Sequence, residues 1–147
     1  MKKFFILGMI LLITISSLFA DSAKYEIQKD GGVVVTAIDS KTDAEFYIVV
    51  NSEGKLSFAI YHEYLIFGTG KNTVAKFSFD NGEVVNTHIA LSSIHMGWFL
   101  WNPKELWQGT STGKELYAHI LSNGEYLDFT FDMNVVQEMY RALGFIK

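Results

Sequence analysis

The stretch Val74-Ala75-Lys76-Phe77-Ser78-Phe79-Asp80-Asn81-Gly82-Glu83-Val84-Val85-Asn86-Thr87-His88-Ile89-Ala90-Leu91 decides the fold class. Ala75, Phe77 and Phe79 fall on one face of an alternating run, with Val74, Lys76 and Ser78 on the other. A period of two marks a strand, because successive side chains point to opposite faces of a sheet. Asp80 to Glu83 interrupts the run, and Asn81-Gly82 offers the positive φ that a tight hairpin turn needs. Beyond the turn Val85, Thr87, Ile89 and Leu91 form an inward face, while Asn86, His88 and Ala90 look outward. The stretch therefore predicts an antiparallel hairpin with one apolar side.

The same texture extends towards the N-terminus. Residues 24–28, 33–38, 45–50, 56–61 and 64–67 read as short strands. Asp30-Gly31-Gly32, residues 39–42 and Asn51-Ser52-Glu53-Gly54 are the turns between them, and residues 68–72 a loop. Residues 45–50 are apolar on both faces, which suits a central strand, and with 56–61 they predict a second hairpin.

Towards the C-terminus the pattern changes. Asn102-Pro103-Lys104-Glu105 is a helix start, with Asn as N-cap, Pro at the first helical position and Glu at N3. Gly109 and residues 110–113 predict that this helix is short. Strands follow at 115–121 and 126–131, turned by Ser122-Asn123-Gly124. Asp132 or Asn134 then caps a last helix, with Gln137 at capping-box spacing from Asn134. Val135, Val136, Met139, Tyr140 and Leu143 share one face of it, and Gly144 fits the position after its end. The expected architecture is mainly β: a single-domain β-sandwich or partly open barrel, with a short helix and a C-terminal helix packed on the sheet.

Composition bounds the function. Lys2 and Lys3 precede an apolar run, and Ser16-Ser17-Leu18-Phe19-Ala20 precedes the polar Asp21. Residues 1–20 thus read as a secretory signal peptide, leaving 21–147 as one mature β-rich domain, periplasmic or secreted, with no transmembrane segment after processing. The chain carries a net charge of −4, and losing Lys2 and Lys3 makes the mature part more acidic still. An acidic chain without a basic stripe is a poor nucleic-acid binder, because phosphate neutralisation dominates that affinity. With no cysteine, the domain has neither disulfides nor thiolate metal sites, so its fold rests on a hydrophobic core. Aromatic residues make up 15% of the chain and can supply that core.

The second half resembles a known pattern. It has a strand with Phe77-Ser78-Phe79-Asp80-Asn81-Gly82, a polar strand ending near Ser92 and Ser93, and an aromatic segment from Phe99 to Trp107 leading into a short helix. A closing helix carries Phe131, Val136, Met139 and Leu143. This is similar to the small exported proteins of the invasion-associated locus B type and to the accessory protein VasI of type VI secretion. The resemblance spans roughly residues 45–143 and implies an exported β-sandwich that binds or assists something without a catalytic site. The chain departs from that pattern in lacking the cysteines that many members carry.

Catalytic and metal-binding chemistry finds little support in the residues. His62-Glu63 is a fragment of a zinc-protease motif, but Ile66 stands where the second His belongs. His88 and His95, with Glu83 or His119, could approach one another, yet their spacing is not that of a metal site. Gly68-Thr69-Gly70-Lys71 lacks the spacing of a phosphate loop, and Asn72 replaces its hydroxyl. Gly109-Thr110-Ser111-Thr112-Gly113 has the Gly-x-Ser-x-Gly spacing but falls at the end of the short helix rather than on a strand-to-helix turn, so it is no nucleophile elbow, and Asp80 and Glu83 belong to a turn. The expectation is no catalytic residue, no metal and no cofactor.

The three tryptophans, Trp98, Trp101 and Trp107, all lie in one short segment. Two readings stand: aromatic core plugging one end of the sheet, or a binding surface. An extended 98–101 segment cannot bury both of its faces, so at least one of these rings is expected to be exposed and to mark a binding edge. The functional expectation is a non-enzymatic exported binding or accessory protein whose partner is another exported or envelope protein. The alternatives are an envelope structural protein, an inhibitor of a secreted hydrolase, and, with less support, an enzyme with a scattered His and carboxylate site.

Overall fold

The structure is a computed structural model that describes residues 22–66, 71–93 and 95–147. The expected signal peptide, residues 68–70 of the loop expected at 68–72 and Phe67, the last residue of the strand expected at 64–67, lie outside the described residues. Nine strands run β1 (Ala23–Ile27), β2 (Val33–Ile38), β3 (Glu45–Val50), β4 (Leu56–Tyr61), β5 (Asn72–Phe79), β6 (Val85–Ser93), β7 (Met96–Phe99), β8 (Glu115–Ser122) and β9 (Glu125–Asp132). Helix α1 (Pro103–Thr112) lies between β7 and β8, and α2 (Met133–Ala142) follows β9.

The strands form one antiparallel sheet in the order β1-β2-β3-β4-β7-β6-β5-β8-β9. It curls into a half-barrel, and aromatic residues from distant strands meet inside the curl. Phe46 of β3 packs on Phe58 at 6.1 Å, Phe99 at 6.0 Å and Phe131 at 5.6 Å between ring centroids. Phe46, Phe58, Phe77, Phe129 and Phe131 are all essentially inaccessible. Rings of this size fill the interior that the absent disulfides leave unsupported. The expected partly open barrel with a docked C-terminal helix is therefore the observed fold.

The seam of the curl is tied by Asp39, which is buried. One of its carboxylate oxygens accepts the Lys41 N–H at 2.9 Å and the other the Thr130 N–H at 3.1 Å, which joins the end of β2 to β9. Helix α2 lies against β1, β2 and β8 and covers the same opening. Val136, Met139 and Tyr140 of α2 are buried and Arg141 is exposed, as the helical periodicity predicts; Val135 and Leu143 of the expected face are only half-buried, and Met133 is buried besides.

Several local details depart from the sequence reading. Tyr64 to Ile66 form no strand. Leu65 N–H bonds back to the His62 carbonyl at 3.0 Å, and only Leu65 turns inward, because β4 is already paired with β7. In the hairpin turn the positive φ values fall on Asp80 and Asn81 rather than on Gly82. Asp80 is held there by β8: its carboxylate accepts the Lys114 and Glu115 N–H groups at 2.8 and 2.9 Å. Asn102 is the N-cap of α1 but with φ 65° and no side-chain cap bond, so it turns the chain instead of capping it. Finally, α1 continues through Gly109, where a Cβ would lie 2.0 Å from the Phe79 ring. The glycine is there for the close approach of that ring, not to end the helix.

The end of α2 follows its predicted form. Asp132 accepts the Asn134 N–H at 2.8 Å, and Gly144 takes φ 75°. Phe145 N–H bonds to Tyr140 O and Gly144 N–H to Arg141 O, the paired bonds of a Schellman motif. Gln137 does not close a capping box. Its buried amide donates to the carbonyls of Thr110 at 3.2 Å and Gly113 at 2.6 Å, satisfying the C-terminal end of α1.

Candidate functional site

The inner face of the sheet is filled, so the side chains with unspent chemistry lie on the outer face. Register places them in rows. Lys76 on β5 sits directly opposite Asn86 on β6 and His119 on β8, and His119 opposite Asp128 on β9. Val74 stands opposite His88, and Leu121 opposite Tyr126.

Asp128 organises one end of this face. Its Oδ1 accepts the Tyr117 hydroxyl at 2.6 Å and also bonds His119 Nδ1. The His119 ring lies flat on Tyr126, 4.2 Å between centroids and 8° between planes, and near-parallel to Tyr117 at 6.3 Å and 22°. Bonding from His119 first, and then from Tyr117, holds the Asp128 carboxyl below its ordinary range, because both partners favour the charged form. The same hydrogen bond, then burial and the carboxylate charge, raise the Tyr117 phenol. Tyr126 is 51% exposed and Tyr117 37%. A hollow of about 230 Å³ beside the cluster is lined by Lys76, Phe77, Val84, Tyr117 and His119.

The tryptophans divide. Trp107 is half-buried, stacked on Tyr140 at 4.9 Å and near Phe145 at 6.4 Å, so it joins the two helices. Trp98 is half-buried on the outer face of β7, between Ala59 of β4 and Ala90 of β6. Trp101 is 55% exposed, its ring edge-on to His88 at 4.5 Å. Thus Trp98 and Trp101 reach the outer face and Trp107 does not. An unbroken strand would send Trp101 inward with Phe99, but β7 ends at Phe99 and the left-handed turn at Asn102 releases it.

The histidines considered as ligands are dispersed. His62 is buried, its Nε2 donating to the Thr42 carbonyl at 2.9 Å and its Nδ1 accepting the Tyr64 N–H at 3.2 Å. His88 meets Trp101, His95 meets Tyr61 at 6.3 Å, and His119 is held by Asp128. Among the described residues no three His, Asp or Glu side chains are placed to hold a metal. A larger hollow of about 490 Å³ at the seam is lined by Asp39, Lys41, Lys114, Glu115 and Asp132 among others. Asp39 and Asp132 there are occupied by the fold's own N–H groups. No helix among the described residues is long and apolar enough to cross a membrane.

A solved structure shares this fold. The fold matches that of invasion associated protein b. That crystal structure, from Bartonella henselae, superposes with a TM-score of 0.59 over 85% of this chain and 95% of the other. Identity between this chain and invasion associated protein b is 13%, so the likeness is one of fold. The resemblance read from the hairpin, the aromatic segment and the closing helix is borne out at that level. No family model matches the chain, and no curated protein matches it in sequence.

Sequence reasoning missed the cluster of Tyr117, His119, Tyr126 and Asp128. The signal was present: these are the outward positions of two strands, and aromatic residues are not needed on a face turned to water. What the sequence withheld was that β8 and β9 pair so that His119 meets Asp128.

Proposed function

We propose that this is an exported, non-enzymatic binding or accessory module whose outer sheet face, from Trp101 across to Tyr126, takes the partner. One observation carries the reading: three large aromatic side chains, Trp101, Tyr117 and Tyr126, stand exposed on one side of a sheet whose core is complete without them. Exposed rings already held by neighbours bind at low entropic cost, which is why such residues dominate binding surfaces. Export rests on the N-terminal sequence pattern; it is tested by an intact mass of the exported protein, which should begin at Asp21, and a mass that retains residues 1–20 refutes it. The face is tested by passing an envelope extract over the immobilised exported protein and its Trp101→Ala/Tyr126→Ala variant. A component retained by the first and lost by the second supports the reading. Equal retention by both refutes it and favours a structural role.

A further inference from the structure

The Asp128 cluster, the hollow beside it and Trp101 together define what the outer face can recognise; the inference rests on that face being the binding surface. We propose that it binds a neutral, linear oligosaccharide. The argument begins with charge. The cluster carries one ammonium, Lys76, on one side of His119 and one carboxylate, Asp128, on the other. No ion pair joins Lys76 and Asp128. A polyanion would meet Asp128 and a polycation would meet Lys76, so an uncharged, hydroxyl-rich chain fits the cluster best.

The shape agrees. Tyr117, His119 and Tyr126 form a near-parallel stack in which Asp128 holds Tyr117 and His119, and Tyr126 is exposed at its end. Aromatic faces carry negative charge, and the C–H groups of a pyranose ring carry the complementary positive charge. Asp128 uses Oδ1 for both Tyr117 and His119 and has Oδ2 left for a sugar hydroxyl. At about 230 Å³ the adjoining hollow is smaller than the ~300–1,000 Å³ of enclosed small-molecule sites. It suits one unit of a longer chain, with Val84 against an apolar edge and Lys76 towards hydroxyls. Trp101, edge-on to His88 of β6, is the second platform. From β6 to β9 is three strand spacings, about 14 Å, a span for several sugar rings. Val74 and Leu121 lie in the row between His88 and Tyr126, and Asn86, Lys76, His119 and Asp128 form the next row, so groups that can meet hydroxyls flank the platforms along their length.

The test is calorimetric titration of the exported protein with cellohexaose, chitohexaose and maltohexaose, at about 50 and about 500 mM salt. The expected result is binding of at least one, changed by less than about twofold with salt, since a neutral ligand is not screened. Tyr126→Ala and Trp101→Ala should each weaken it at least about tenfold, and Asp128→Asn about as much, with circular dichroism unchanged. Tyr64→Ala, exposed but away from this face, should leave it unaltered. Failure of all three sugars to bind at about 10 mM overturns the inference. So does binding that survives both aromatic changes, or that falls tenfold with salt and so does not rest on the uncharged contacts described. If the sugars fail while the envelope extract still yields a Trp101-dependent partner, the ligand class falls and the binding module stands. If both fail, both fall.

Discussion

Gln137→Met tests how the two helices are joined. Gln137 is 8% exposed and its amide donates to two carbonyls of the α1 terminus, Thr110 and Gly113. Methionine matches its length and keeps the packing while removing both donors. A buried acceptor stripped of its partner costs about 1–3 kcal/mol. Two such carbonyls, partly rescued by water at the helix end, place the loss near 2–4 kcal/mol. With a urea m-value of about 1–3 kcal/mol per molar for a domain of this size, the midpoint should fall by roughly 1–2 M at unchanged m. Tyr140→Phe, which removes the hydroxyl bond to Thr110 Oγ1 at 3.0 Å, should couple to it, because both act on the same turn. The double variant should then lose less than the sum of the singles. A loss below about 0.5 kcal/mol for Gln137→Met, or strict additivity with Tyr140→Phe, would refute the idea that these bonds hold α1 to α2.

Three further outcomes are expected. Gly109→Ala forces a methyl into the Phe79 ring and should destabilise by about 1–3 kcal/mol, with Phe79→Leu relieving part of the loss; calorimetric unfolding reads both. Asp128 has a lowered carboxyl, so its contribution is present above the ordinary Asp range and is lost as pH falls through the lowered folded value. The stability gap between the protein and Asp128→Asn should therefore close between about pH 5 and pH 2, and a gap that persists unchanged to acid excludes the assignment. Phe46→Ala should cost about 3–5 kcal/mol in denaturant titration, since its ring joins β3 to β4, β7 and β9 inside the curl.

Local periodicity and turn chemistry settled most of the strands and both helices. The hairpin of β5 and β6, the inward row of Leu127, Phe129 and Phe131, and the Gly144 ending of α2 are each set by residues within a few positions of one another. Three of the misread places involve a distant partner. Tyr64 to Ile66 looks extended but cannot pair, because β7, some thirty residues on, occupies the edge of β4. Gln137 has the spacing of a capping box but serves another helix. Gly109 looks like a stop signal until Phe79 is brought over it.

The functional face divides in the same way. The sequence determined that an acidic, cysteine-free β domain would carry aromatic residues at outward positions, because a period of two assigns faces without any knowledge of strand order. Strand order belongs to tertiary structure. Inserting β7 between β4 and β6 places Trp98 on the outer face, and the turn at Asn102 after it releases Trp101. Docking α2 on α1 withdraws Trp107 from that face. The register of β8 with β9 sets His119 beside Asp128, which no local pattern encodes, because a one-residue slip would have sent the two to opposite faces of the sheet.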